Sequence, residues 1–222
     1  MDTVNDTVER RIRSHARGAW VGTPADFADL REPVHVQRAL DRLLDSGEIR
    51  RIGRDLYDRP YFSFFIGADV APDINLVLRA IERRDATRLF QPGEICANAL
   101  SLTDQCAVRH HYLSDGPSFT EVVGRTTIEI ERAPELLFPW LERRALPVVT
   151  ALLWLGPAIA EDIGTDPDYD PDFPEWGDEN VEYILHRVLD DATKHDFIHH
   201  APDLPAWAQG IAARLGRLMS PS

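Results

Sequence analysis

Two cysteines, Cys96 and Cys106, are all that the 222 residues contain. A disulfide framework and a four-cysteine zinc site are thereby excluded. Free thiols in such small number fit a reducing compartment, where they pack as small core side chains. Lysine is scarcer still: of 24 basic residues only Lys194 is lysine, and the rest are arginine. No stretch approaches the ~20 consecutive apolar residues of a membrane helix, so no membrane partner is expected. The start, Met1-Asp2-Thr3-Val4-Asn5-Asp6, has no basic region leading into an apolar one. No signal peptide is therefore expected, and the protein is read as cytoplasmic. A Gly-x-Ser-x-Gly elbow, a Gly-Lys phosphate loop and a dinucleotide fingerprint are all missing. Catalysis is not expected, and no catalytic residue, metal or cofactor is assigned.

What is present is an ordinary globular composition, 44% hydrophobic and 27% charged, enough for one large domain or two small ones. The net charge of −13 argues against indiscriminate affinity for nucleic acid or anionic membrane. The charge is unevenly spread. Residues 1–59 carry 11 Arg against 11 acids, residues 60–135 carry 7 Arg against 11, and residues 136–222 carry 6 basic residues against 15 acids. Arginine is thus concentrated in the neutral first quarter. Its planar fork suits phosphate and guanine.

Local patterns give the elements. Val4, Val8 and Ile12 recur at helical spacing over residues 3–18, and Gly18 is a stop. Thr23-Pro24-Ala25-Asp26 reads as a helix start, with Thr23 as cap, Pro24 in the first turn and Asp26 answering the cap. That short helix ends near Leu30. Pro33 opens a third, whose stripe Val36, Leu40, Leu43 is apolar and which runs to about Ser46-Gly47. Residues 48–57 then read as two short strands about a Gly53 turn. Three helices followed by a small hairpin is the order of a winged helix-turn-helix. Beyond it, Tyr61-Phe62-Ser63-Phe64-Phe65 is an aromatic cluster expected to pack onto a neighbouring domain. A helix over 73–84, another over 92–102, an extended 110–114 and strands over 119–123 and 126–132 make a mixed α+β segment. After Pro134 the pattern is helical at 136–146, 148–155, 180–192 and 204–218. Residues 161–179 are acidic and proline-broken and read as a solvated loop.

The strings Ala16-Arg17-Gly18, Thr23-Pro24-Ala25-Asp26-Phe27 and Gln37-Arg38-Ala39-Leu40-Asp41-Arg42-Leu43 lead into Gly47-Glu48-Ile49-Arg50-Arg51-Ile52-Gly53-Arg54-Asp55-Leu56-Tyr57-Asp58. With Tyr112-Leu113-Ser114-Asp115-Gly116-Pro117 and Arg132-Ala133-Pro134, this segment resembles the AbiEi-type antitoxin family of type IV toxin–antitoxin systems. The likeness is strongest over residues 16–134, and the Arg50–Asp58 string is its most specific part. Asp55 stands where the family pattern has glycine, and the acidic loop 161–179 looks like an insertion. The resemblance implies an α+β protein with an N-terminal winged helix-turn-helix (1–59) and a C-terminal antitoxin-like domain (60–222). It further implies autorepression at double-stranded operator DNA, and a nucleotidyltransferase-like toxin as genetic partner.

If Val36, Leu40 and Leu43 face a core, then His35, Gln37, Arg38, Asp41 and Arg42 form the outer arc of the third helix. Arg38 and Arg42 stand one turn apart, as a recognition helix requires, and Arg and Gln read guanine and adenine edges. Arg31 precedes that helix at a phosphate-contact position. Arg50, Arg51 and Arg54 bracket the wing and are placed to grip backbone or minor groove. The plainer reading pairs Arg38 and Arg42 with Asp41, Asp45 and Glu48 on a solvated face. A second function class is an interaction module with a degenerate winged helix, binding a basic partner through its acidic C-terminal region. Three site-like patterns are weaker. His195 and His199 have metal-ligand spacing but lack the metalloprotease glutamate. Asp166-x-Asp168-x-Asp170 begins like a calcium loop but has Pro171 and Gly177 where glycine and glutamate belong. Glu129 and Glu131 are expected to face solvent between inward Ile128 and Ile130.

Overall fold

Thr3 accepts a hydrogen bond from the amide of Asp6, and the Asp6 carboxylate accepts one from the amide of Thr3. This reciprocal cap opens α1 (Val4–Arg13) in a computed structural model that describes residues 3–105, 109–160 and 180–220. The described residues are mixed α+β. They fall into two compact units: Met1–Leu89 with Ser114–Arg132, and Phe90–Leu113 with Ala133–Ser222. Residues 60–89 and 114–132 therefore pack with the N-terminal segment, where the sequence reading placed the boundary at 59/60.

In the first unit α1 is followed by β1 (Val21–Gly22), a 3-10 segment (Pro24–Leu30), α2 (Pro33–Asp45), β2 (Arg50–Gly53) and β3 (Leu56–Asp58). α1 is shorter than the periodicity of residues 3–18 implies. Ser14 caps it by donating its hydroxyl to the Arg11 carbonyl. The Thr23 cap and its Asp26 answer form as the sequence indicated. The segment they start is 3-10, because Phe27 leaves helical geometry (φ −117) to bury its ring. Arg31, at φ 55, then turns the chain into α2. Strands β1, β3 and β2 form an antiparallel sheet in that order. Val8, Ile12, Trp20, Phe27, Val36, Leu40, Leu43, Ile49 and Tyr57 share one core, so the predicted inward stripe of α2 is buried. At roughly 1.5–3 kcal/mol per fully buried large apolar side chain, this cluster is the main force ordering α1 and α2.

Two short strands, β4 (Phe62–Ser63) and β5 (Ala68–Asp69), pair as a hairpin before α3 (Ile74–Asp85). The aromatic cluster that was expected to pack is carried on this hairpin, with Phe64 92% and Phe65 98% exposed. Gly67, at φ +65, closes the turn that projects them. β6 (Leu89–Phe90), α4 (Gly93–Ala99) and β7 (His110–Ser114) follow. β8 (Phe119–Val123) and β9 (Thr126–Arg132) are an antiparallel hairpin turning at Gly124, with Phe119 opposite Ile130 and Val123 opposite Thr126.

The second unit is built from α4, a 3-10 turn (Glu135–Trp140), α5 (Leu146–Leu155), α6 (Val181–Val188), α7 (Asp191–His200) and α8 (Ala206–Met219). The helix expected over 136–146 is only that turn, because Pro139 interrupts the backbone ladder. The helix expected over 180–192 breaks at Leu189, whose backbone is extended, and Asp190 caps α7 by accepting from the Thr193 amide. Trp140, Leu137, Leu152, Leu185, Phe197, Ile211 and Leu215 fill the core, with Cys96 at its margin. Burial pushes the Cys96 thiol up to about 11, with the nearby Glu94 carboxylate adding to the shift, which makes it an inert core residue. Gly93 is required by a close helix crossing, since a Cβ there would lie 2.1 Å from the Trp154 side chain. Cys106 and the acidic loop 161–179, with its calcium-like pattern, lie outside the described residues.

Candidate nucleic-acid interface

The outer face of α2 follows from its inner one. With Val36, Ala39, Leu40 and Leu43 buried, His35, Gln37, Arg38, Asp41 and Arg42 are all exposed. Pro33 in the first turn and Arg31 before it set the entry of the helix. Along this face the side chains are sorted by partner. The Gln37 amide donates to the Asp41 carboxylate at 2.8 Å. His35 Nδ1 lies 2.7 Å from Glu32. Glu48 is taken by Arg13, in two hydrogen bonds of 2.7 and 2.8 Å. Two of the three acids that a solvated-face reading assigns to Arg38 and Arg42 are thus bonded elsewhere. Among the described residues neither Arg38, Arg42 nor Arg31 forms an ion pair or side-chain hydrogen bond. Arg42 acts only at longer range, helping its neighbour Thr3 to hold the Asp6 carboxyl below the usual carboxylate range. The Thr3 hydrogen bonds are the larger cause.

The turn between β2 and β3 is differently disposed. Arg50 is not presented to solvent as a grip. It forms a two-pronged pair with Asp58, both bonds 2.8 Å, and donates to the Val70 carbonyl. Asp58 is buried; burial pushes its carboxyl above the ordinary value and Arg50 offsets part of that push. Arg51 is exposed, donates to the Gly53 carbonyl and lies 3.6 Å from Asp55. Arg54 is exposed with Asp85 at 3.3 Å. Asp55 occupies the left-handed region at φ 51, where glycine is at ease and Asp is tolerated.

A cluster the sequence reading missed fixes this turn. Glu121 on β8 accepts from the Arg54 amide at 3.0 Å and from Arg84 of α3 at 2.7 Å. Arg84 also donates to the Arg54 carbonyl and to Asp85. Both Arg84 and Glu121 are nearly inaccessible, with side chains 7% and 6% exposed. A Cβ at Gly53 would lie 2.8 Å from the Glu121 carboxylate, so the glycine admits this contact. One signal was available. In Phe119–Val123, Glu121 shares the inward alternation with Val123, and an acid on a buried face requires a cation.

Glu129 and Glu131 are exposed between buried Ile128 and Ile130, as expected. His195 and His199 share α7 and are exposed, and among the described residues no group of three or more metal-ligating side chains comes together. No helix among the described residues is long and apolar enough to cross a membrane.

Comparison with family models matches residues 7–163 to a family of unknown function, DUF6088. No curated protein matches the chain, and no solved structure does.

Proposed function

The chain belongs to the family of unknown function DUF6088, and from the geometry of its first unit we propose that it is a sequence-specific DNA-binding repressor. Its first unit works as a winged helix-turn-helix, with α2 as recognition helix and the β2–β3 turn as wing. The observation that carries this reading is the pair Arg38 and Arg42. They stand one turn apart on the exposed face of a helix whose other face is buried, and both guanidiniums are uncommitted among the described residues. Helix, strand, short helix, helix and hairpin in that order, with strand order β1-β3-β2, support it. Arg38, Arg42 and Gln37 contact base edges in the major groove; Arg31, Arg51 and Arg54 contact the phosphate backbone. Arg50 serves inside the protein, tying β2 to β3 and to Val70. The resemblance to AbiEi-type antitoxins extends the proposal to autorepression of an operon and antitoxin activity against a nucleotidyltransferase-like toxin.

One observation favours a second reading, an interaction module with a degenerate winged helix. All three wing guanidiniums face acids, Asp58, Asp55 and Asp85. Binding titrations separate the two readings. With operator DNA, Arg38→Ala costs about 1–3 kcal/mol and relaxes sequence preference. Arg51→Ala weakens all sequences alike and flattens the dependence on salt. If neither variant changes binding, α2 is not the reading face and the interaction module is favoured.

A further inference from the structure

The β4–β5 hairpin presents the largest exposed aromatic surface among the described residues. Phe64 and Phe65 are 92% and 98% exposed, with Tyr61, Phe62 and Ile66 about half exposed beside them. Phe62 and Phe64 meet edge to face with ring centres 5.2 Å apart, so the tip is an ordered cluster. The hairpin is anchored at its base. The Val70 amide donates to the Tyr61 carbonyl, and Arg50 bonds the Val70 carbonyl. Its two strands form a sheet of their own, leaving an unpaired outer edge on each. Monomeric proteins seldom leave such a surface bare.

Charge selects the occupant. Residues 60–78 contain neither lysine nor arginine, and residues 60–68 contain no charged side chain at all. A DNA wedge or an anionic membrane surface would require cations beside the apolar tip, whereas the arginines that meet the hairpin do so at its base, Arg17 donating to the Pro60 carbonyl and Arg50 to that of Val70. A basic partner would find no acid on the tip to pair with. A neutral apolar tip on a chain of net charge −13 is a place where a second copy can approach without charge opposing charge at the contact. The area is sufficient. At roughly 200 Å² per aromatic side chain, the tip offers on the order of 500 Å² per copy. Two copies together therefore reach about 1,000 Å², the lower bound for a biological interface and the range of a weak, reversible dimer.

We infer that the 61–70 hairpin is a self-association surface, on which a second copy of this chain docks tip to tip in a two-fold arrangement. The contact requires no DNA, so it stands or falls apart from the repressor reading. Sedimentation velocity of the full-length chain without DNA, over a wide concentration range, tests it. The chain sediments as a dimer, and Phe64→Ser with Phe65→Ser raises the dissociation constant about 100-fold or more. Those side chains are solvent-exposed in the single chain, so circular dichroism stays unchanged and Tm matches that of wild type diluted below its dissociation constant. Phe65→Leu, which keeps an apolar tip, stays dimeric. A wild-type chain that is monomeric throughout, or a double variant that dimerises as wild type does, overturns the inference. If wild type is monomeric, vesicle flotation of that monomer, or loss of DNA affinity in the double variant, would hand the tip to lipid or to DNA instead.

Discussion

Glu121 carries more of the candidate interface than its place on a strand suggests. Its carboxylate holds the β2–β3 turn by the Arg54 amide and neutralises a guanidinium, that of Arg84, with which it is buried. Removing one partner of such a pair strands the other charge in the interior, although Asp85 keeps part of Arg84 satisfied. Glu121→Ala therefore costs about 3–5 kcal/mol by urea unfolding. Glu121→Gln, which keeps an acceptor for the amide, costs less. Glu129→Ala, on the same hairpin but exposed, stays within about 0.5 kcal/mol. Equal loss from Glu121→Ala and Glu129→Ala would contradict the anchoring role. Arg50 teaches the complementary lesson. The string Arg50-Arg51 marks two candidate phosphate contacts, yet the pleat turns them apart. Arg50 meets buried Asp58 across the sheet while Arg51 reaches solvent.

Between elements, α1 is tied to its surroundings by two carboxylates, one exposed and one half-buried. Arg11 pairs with Asp29 of the 3-10 segment and Arg13 with Glu48 after α2. The Arg13 hydrogen bonds hold the Glu48 carboxyl below its ordinary value, and those of Arg11 do the same for Asp29. A carboxylate whose folded pKa is depressed stabilises the fold above its unfolded pKa and loses that contribution as pH falls through the folded value. Thermal melts thus show a loss of stability on acidification below about pH 4 that Glu48→Gln makes shallower. At neutral pH the same change costs under about 1 kcal/mol, because the pair is solvent-screened. An acid profile steeper in Glu48→Gln than in wild type would contradict this tie. The elements of the first unit were largely legible because their signals are local: the Thr23 cap, the stripe on α2, the alternation in β8 and β9. The Arg84–Glu121 anchor joins residues 37 positions apart and had no local signal beyond one acid on an inward face. The hairpin at 61–70 was misjudged because five neighbouring aromatic and apolar side chains look like core until the Gly67 turn is seen to point them outward.

For the whole molecule, sequence charge and structure point the same way. Arginine is concentrated in residues 1–59, where the acids are of equal number, and internal pairing removes Arg50, Arg11 and Arg13 from the free supply. What is left on α2 is a small local patch, so on the proposed reading DNA binding is selective rather than indiscriminate, with the −13 net charge suppressing nonspecific affinity. The most direct test is fluorescence anisotropy of the full-length protein with its own upstream DNA against a scrambled duplex at several salt concentrations. A repressor binds the upstream DNA about 1,000-fold or more tighter than the scrambled duplex, with affinity falling steeply as salt rises. Equal affinity for the two duplexes, or none for either, would contradict the DNA-binding account and leave α2 as scaffold.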